Sequence, residues 1–278
     1  MTVTLVSDEK IAETSSKGNQ EKWFDSISGS WYKLDQYGYE ALAETMASVV
    51  LEKSNIETQT PFTFVRYQMA KLRVRGVERN GCMSQSFMQP GQSLITVNRL
   101  LSNHLGAPLT HKLINLSSDI KRIAYLADAV AEYTGLTAFP RYLALLFEVD
   151  ALICNDDRHL NNIAVIESGG RYDYCPIFDN GAGLLSNTQV SRMDIAPKAL
   201  VAALTAKPFN TTFNRQMNSV RRLYGRQLVM PKLGEAGIYA ALQPLLPYYA
   251  ERDRNIIADR VVECLLSRRK SFVFDASL

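Results

Sequence analysis

One decapeptide constrains this chain more than any other feature: Cys154-Asn155-Asp156-Asp157-Arg158-His159-Leu160-Asn161-Asn162-Ile163. It follows an apolar run, Tyr142 to Ile153. It precedes two short stretches of strand character, Asn161 to Glu167 and Arg171 to Phe178, joined by Ser168-Gly169-Gly170. The second stretch runs into Phe178-Asp179-Asn180-Gly181. A β-hairpin returns to the edge where it began, so Asp179 is expected beside Asn162. Asp157 stands five residues before Asn162 in the same loop. Upstream, Pro140 suits the first turn of a helix from Arg141 to about Cys154. Ser118 suits the cap of another helix that Gly135 ends.

Two carboxylates and an amide oxygen converging on one cleft suit phosphoryl transfer. Its loose transition state asks for positioning and charge neutralisation more than covalent chemistry. Magnesium is a hard ion that takes oxygen ligands and keeps water and phosphate oxygens around it. One carboxylate and Asn162 can hold it against a nucleotide, while the other carboxylate orients the accepting hydroxyl and takes its proton. Kinase catalytic loops use the same Asp-x4-Asn spacing, then a strand pair and an Asp near a Gly. The plainer alternative is a polar turn, because Asp, Asn and His are common turn residues. The Phe178-Asp179-Asn180-Gly181 loop at hairpin distance favours chemistry. His159 is expected to brace the loop through hydrogen bonds rather than act as acid or base.

The first part of the chain supplies a second group. Trp23 to Leu34 reads as two short strands around a small-residue turn, Ser26 to Ser30. Lys33 lies on the second strand. It is expected to reach nucleotide phosphates while the backbone N–H groups of Ser28, Gly29 and Ser30 approach them. The following helix, Tyr39 to Ser54, carries Glu40 and Glu44 one turn apart on one face. Glu40, nearer the helix start, is the expected ion-pair partner of Lys33, with Glu44 left as the alternative. Phe62 to Tyr67, Ala70 to Val77 and Met83 to Met88 read as strands, with a hairpin turn at Arg79-Asn80-Gly81. Residues 1–22 read as a leader that either pairs as an edge strand or stays loose.

Beyond Gln89-Pro90-Gly91-Gln92 the character is mainly helical. A loop stretch is expected over 184–212 and helices near 215–224, 235–245 and 249–269. The expected class is therefore α+β, with a small antiparallel-sheet lobe over residues 1–90 and a larger helical lobe over 91–278. The 278 residues suffice for both. A net charge of +3 makes no case for nucleic acid. The cysteines, Cys82, Cys154, Cys175 and Cys264, form no CxxC pair and read as reduced thiols of a cytoplasmic protein. The N-terminus is too polar for a signal peptide. Glu148 and Asp150 interrupt the best apolar run, so no membrane span is expected.

The stretch LFEVDALICNDDRHLNNIAVI with PIFDNGAG resembles the catalytic core of HipA-like kinases, bacterial Ser/Thr kinases with a fold akin to protein and phosphoinositide kinases. SGSWYKLD followed by GYEALAE resembles their first lobe more loosely. The resemblance implies a kinase-like fold, ATP and magnesium as cofactors, and a protein substrate, the chain itself included. It makes Asp157 the catalytic base, Asn162 and Asp179 the magnesium ligands, and Lys33 the ATP-phosphate lysine. Ser186, Thr188 and Ser191 are candidate self-acceptors, with Arg192 and Lys198 near enough in sequence to meet a phosphate there; the plainer reading of each is an ordinary loop residue. An antitoxin-like partner stays open. Two further readings keep the fold and change the role: a lipid or small-molecule kinase, and a nucleotide-binding module without catalysis.

Overall fold

The computed structural model describes residues 3–5, 21–231 and 233–272; most of the expected leader lies outside them. In the first part of the chain a five-stranded sheet packs against one long helix. The strands are β1 (Val3–Leu5), β2 (Lys22–Asp25), β3 (Ser30–Leu34), β4 (Gln68–Val74) and β5 (Val77–Gln85), ordered β1-β4-β5-β3-β2. Every ladder is antiparallel except β1 on β4. Side chains alternate across the sheet. Trp23, Tyr32, Leu34, Leu72 and Val74 cluster on one face. Lys33 leaves the other face, toward α1 (Glu40–Leu51).

The β4–β5 turn is not where its sequence signal stood. It falls at Arg75-Gly76, whose φ angles are both positive, +49° and +77°, as a tight two-residue hairpin requires. Arg79-Asn80-Gly81 lies inside β5. A Cβ at Gly81 would stand 2.4 Å from the Lys33 carbonyl oxygen and 2.6 Å from a Leu72 methyl. The glycine serves close packing between strands, the other reason for glycine in a strand. The expected strand Phe62–Tyr67 is an extended segment that bridges Ile177 through Phe64. It exchanges backbone hydrogen bonds there, Val65 N to Ile177 O at 2.9 Å and Ile177 N to Thr63 O at 2.8 Å. Two regions far apart in sequence are thereby tied together just before Phe178.

The rest is mainly helical. α2 (Ile56–Gln59) is a single turn, and α3 (Val97–Leu105) and α4 (Leu109–Ile114) follow further on. α5 (Asp119–Thr134) starts where Ser118 Oγ accepts from the Lys121 N–H and ends at Gly135, φ +74°. α6 (Phe139–Ile153) holds Pro140 in its first turn and is buried on almost every side. The two carboxylates that interrupt its apolar run are both buried and paired. Glu148 takes Arg221 and the N–H groups of Gln227 and Leu228, and Asp150 takes Arg158. No helix among the described residues is long and apolar enough to cross a membrane. α7 (Pro197–Ala203) breaks the stretch read as loop, followed by α8 (Phe213–Tyr224), α9 (Glu235–Leu242) and α10 (Glu251–Arg268). A three-stranded sheet, β6 (Ser93–Thr96), β7 (Ala164–Ser168) and β8 (Arg171–Tyr174), carries the hairpin. β6, unsignalled in the sequence, pairs with β7 and feeds α3 at once.

Candidate active site

α6 ends on a non-glycine residue in the left-handed region. Cys154, φ +55°, donates to the Asp150 carbonyl and turns the chain into the Asn155–Asn162 loop. Asn155 then locks the turn. Its amide donates to Asp150 Oδ1 at 2.9 Å, and its Oδ1 accepts from the Asp157 N–H at 3.3 Å. The centre of the loop is Arg158, 0% exposed. Its guanidinium donates to both Asp150 oxygens at 3.0–3.1 Å, to the Asn162 carbonyl at 3.2 Å, to the Phe178 carbonyl at 2.6 Å and to Asn180 Oδ1 at 2.8 Å. One side chain thus fixes the loop that bears Asp157 and Asn162 against the loop that bears Asp179. The sequence reading missed it, because an arginine amid Asp, Asn and His reads as solvated. The available signal was Asp150, a carboxylate inside an apolar helix eight residues earlier, which demands a buried cation.

The hairpin delivers Asp179 in the left-handed region, φ +60°. Its Oδ1 accepts from Lys33 Nζ at 2.8 Å, and the same ammonium donates to Glu44 Oε1 at 2.6 Å. Glu44 Oε2 accepts from the Asn180 N–H at 2.9 Å. The partner of Lys33 is therefore Glu44, not Glu40. Glu40 is occupied elsewhere, accepting from the N–H groups of Gln36, Tyr37 and Gly38 at 2.7–3.3 Å. Those amides precede the helix and point at its first turn, where a carboxylate is favoured. Burial alone would raise Asp179, but the Lys33 and Lys22 ammoniums hold its carboxyl below the usual carboxylate range. Lys33 moves the opposite way. Burial disfavours its charge, yet Asp179 and Glu44 raise it well above the ordinary lysine value.

A cavity of about 460 Å³ brings the loops together, and Asp157, Asn162, Asp179 and Glu40 all line it. The Asp157 side chain is 55% exposed. Partial burial, opposed by His159, pushes its carboxyl up, as does the Asp179 charge. Neighbouring Asp156, unremarked in the sequence, also lines the cavity, and burial and Asp157 push it up to about 6. Asn162 donates its amide N–H to the Asp157 carbonyl at 3.3 Å, which leaves its Oδ1 as a donor to a cation. With the second Asp179 oxygen, that is a hard oxygen set of the kind magnesium takes.

Other expected residues stand differently. The His159 ring makes no loop-bracing hydrogen bond. Its Nε2 lies 3.8 Å from Asp157 Oδ2, and Nδ1 is buried without a partner among the described residues. Its contribution to the loop is through the backbone, donating to the Asp157 carbonyl and accepting from Asn162. Ser28 and Gly29 form the β2–β3 turn, and Ser30 opens β3 three residues before Lys33. At about 3.3 Å per strand residue the turn is about 10 Å from the lysine. None of the three is among the residues that line the cavity, where β2 instead contributes Lys22 from its far end. Ser28 donates to Asp25, and Ser30 takes Gln85.

The candidate self-acceptors are held as well. Ser186 is buried on the Gly181 carbonyl, and Thr188 donates to the Tyr37 carbonyl at 2.8 Å. Ser191 is buried. Arg192 pairs with Asp194 at 2.6 Å.

No family model and no curated protein matches this sequence. Solved structures do match its fold. A proinflammatory kinase of Helicobacter pylori, CtkA, aligns over 95% of this chain and 91% of its own, with a TM-score of 0.61 and 14% identity. HipA of Shewanella oneidensis MR-1, solved with HipB and its operator DNA, aligns over 93% of this chain but 65% of its own, with a TM-score of 0.50 and 13% identity. Identities this low speak for architecture alone, and the architecture they speak for is that of a HipA-like kinase.

Proposed function

We propose that this chain is an ATP- and magnesium-dependent phosphotransferase acting on Ser or Thr of a protein, itself included. The observation that carries the proposal is a single cavity faced by Asp157 and Asn162 from one loop and by Asp179 from another, with Lys33 and Glu44 fixing Asp179 in place. Asp157 takes the proton of the incoming hydroxyl as its oxygen attacks the γ-phosphorus, the bond to the β–γ bridging oxygen breaks, and ADP leaves. A carboxylate exposed to the cavity and raised by partial burial suits that role. Asn162 and Asp179 would hold magnesium, which neutralises charge on the phosphate oxygens. Lys33 orients Asp179 and takes the part of the ATP-phosphate lysine. In this reading residues 1–90 bind the nucleotide and 91–278 carry the catalytic loop. Four free, buried thiols support a cytoplasmic setting.

The test is intact mass after incubation with Mg-ATP, with Asp157→Ala beside the parent. Added phosphate in the parent and none in the variant is the expected result. Failure of saturating Mg-ATP to raise the melting temperature would remove the nucleotide reading altogether.

A further inference from the structure

Three side chains leave one face of α10 at four-residue spacing: Arg260, Cys264 and Arg268. The two arginines fix what that face meets. Arg268 Nε donates to the Ala151 carbonyl, in the last turn of α6, at 2.8 Å. Arg260 donates to the Leu185 carbonyl at 2.6 Å, and the neighbouring Leu184 N–H donates to the Ile153 carbonyl at 2.8 Å. Between those anchors α10 faces the end of α6, and there the Cys264 thiol hydrogen-bonds to Cys154. The two cysteines are 0% and 1% exposed.

The pair is placed unequally. Cys154 is the first residue after α6, and it lines the cavity of Asp157, Asn162 and Asp179. Cys264 lies behind it in the core. Burial, and then the hydrogen bond to Cys154, push its thiol well above the ordinary range, so it keeps its proton. The sulfur that a small solute in the cavity meets is therefore Cys154. Cys82 and Cys175 are buried as well, but neither lines the cavity. Sulfurs in hydrogen-bond contact need to close by no more than about 2 Å to reach disulfide length, which rotation about the side-chain bonds supplies.

We propose that Cys154 and Cys264 are a redox-sensitive pair, which a peroxide converts to a disulfide that fastens the Asn155–Asn162 loop to α10. The Cys154 sulfur attacks one oxygen of hydrogen peroxide, the O–O bond breaks, one water leaves, and Cys154 becomes a sulfenic acid. The Cys264 sulfur then attacks that sulfur, the S–O bond breaks, and the oxygen leaves as a second water with the Cys264 proton. Two thiols together give up two electrons, and one peroxide is reduced to two waters. The link ties the residue that opens the loop of Asp157 to the helix whose Arg260 gathers residues 185–192. It concerns thiol chemistry alone and stands apart from the nucleotide reading.

Hydrogen peroxide titration of the folded full chain, then alkylation and peptide mapping without reductant, tests it. The parent is expected to lose two hydrogens in mass and to give one linked peptide pair, Cys154 with Cys264, which dithiothreitol separates. Cys82 and Cys175 should still be alkylated once the chain is unfolded. Cys264→Ser should hold Cys154 as a sulfenic acid that a 1,3-diketone probe captures. Cys154→Ser should leave Cys264 unoxidised at the same dose. Amide exchange over 184–192 should slow in the linked protein relative to the reduced one. The map of the parent carries the test even where a variant fails to fold. A parent whose Cys154 passes to sulfinic acid without a link, or which stays reduced at doses that oxidise the unfolded chain, overturns the pair. Oxidation of Cys264 in Cys154→Ser overturns Cys154 as the point of entry. A link that leaves exchange over 184–192 unchanged overturns the fastening of α10.

Discussion

Two arginines in this molecule are both 0% exposed, and they are held in opposite ways. Arg158 meets a carboxylate, Asp150, and adds the Asn162 and Phe178 carbonyls and the Asn180 amide oxygen. Arg260, on α10, meets no carboxylate in ion-pair range among the described residues. Its guanidinium donates to the carbonyls of Leu185 and Ser191 at 2.6 Å and of Arg192 at 3.1 Å, and to the Tyr39 hydroxyl at 2.9 Å. Arg158 joins the two loops that carry the candidate chemistry. Arg260 gathers the segment that follows Asp179, residues 185–192. A buried ion pair cannot lose one member without stranding the other charge. A cation on carbonyls strands no opposite charge when it leaves, and carbonyls can turn to water. The first arrangement suits a part that must not move, the second a part that can be released.

The largest expected effect follows at Arg158. Arg158→Met should cost about 3–5 kcal/mol by chemical denaturation, because Asp150 is left buried and unpaired. Asp150→Asn combined with Arg158→Met should recover part of that loss, since no charge is then stranded. A double variant as unstable as the sum of the two single ones would break the comparison, because the pair would then carry no special coupling.

Arg260→Met is the milder counterpart. Losing charge-assisted bonds to carbonyls should cost about 1.5–3 kcal/mol. Its sharper signature is local: amide exchange should quicken over residues 184–192 and stay unchanged over 154–162. Equal quickening in both segments would show that the two arginines belong to one cooperative unit, and the contrast between fixed and releasable parts would collapse. Release of this segment is also what would expose Ser186 and Ser191, which are buried as they stand.

The same contrast explains what the sequence disclosed. Asp157, Asn162 and Asp179 were legible because their convergence needs only a local hairpin, and hairpin geometry follows from short-range spacing. The fold class was legible from the change in periodicity near residue 90. What could not be read depended on contacts between distant segments. Arg158 draws its meaning from α6, β8's exit and the Asp179 loop at once. Gly81 carries a turn signal, but two neighbouring strands decide its use. β6 has only Ser93-Leu94-Ile95-Thr96 to announce it, too few residues for an alternation to stand out. Cys154 and Cys264 meet only because α10 packs against the end of α6.

Glu40 and Glu44 offer the smallest effect and the finest discrimination. They sit one turn apart on α1, and spacing alone favoured Glu40 for Lys33. The folded chain separates their tasks, giving Glu44 the lysine and the Asn180 amide, and giving Glu40 the amides of Gln36, Tyr37 and Gly38. Glu40→Gln keeps one acceptor oxygen and loses the charge near a helix start, so it should cost about 0.5–1 kcal/mol. It should leave Mg-ATP affinity within about twofold of the parent, because Lys33 and Asp179 do not depend on it. Glu44→Gln should do the reverse at the site, weakening nucleotide binding more than Glu40→Gln does, since Lys33 then keeps Asp179 as its one anionic partner among the described residues. If Glu40→Gln were the more damaging of the two for Mg-ATP, the Gln36–Gly38 turn would have to be part of the nucleotide site, and the division between a turn-holding and a lysine-holding glutamate would be wrong.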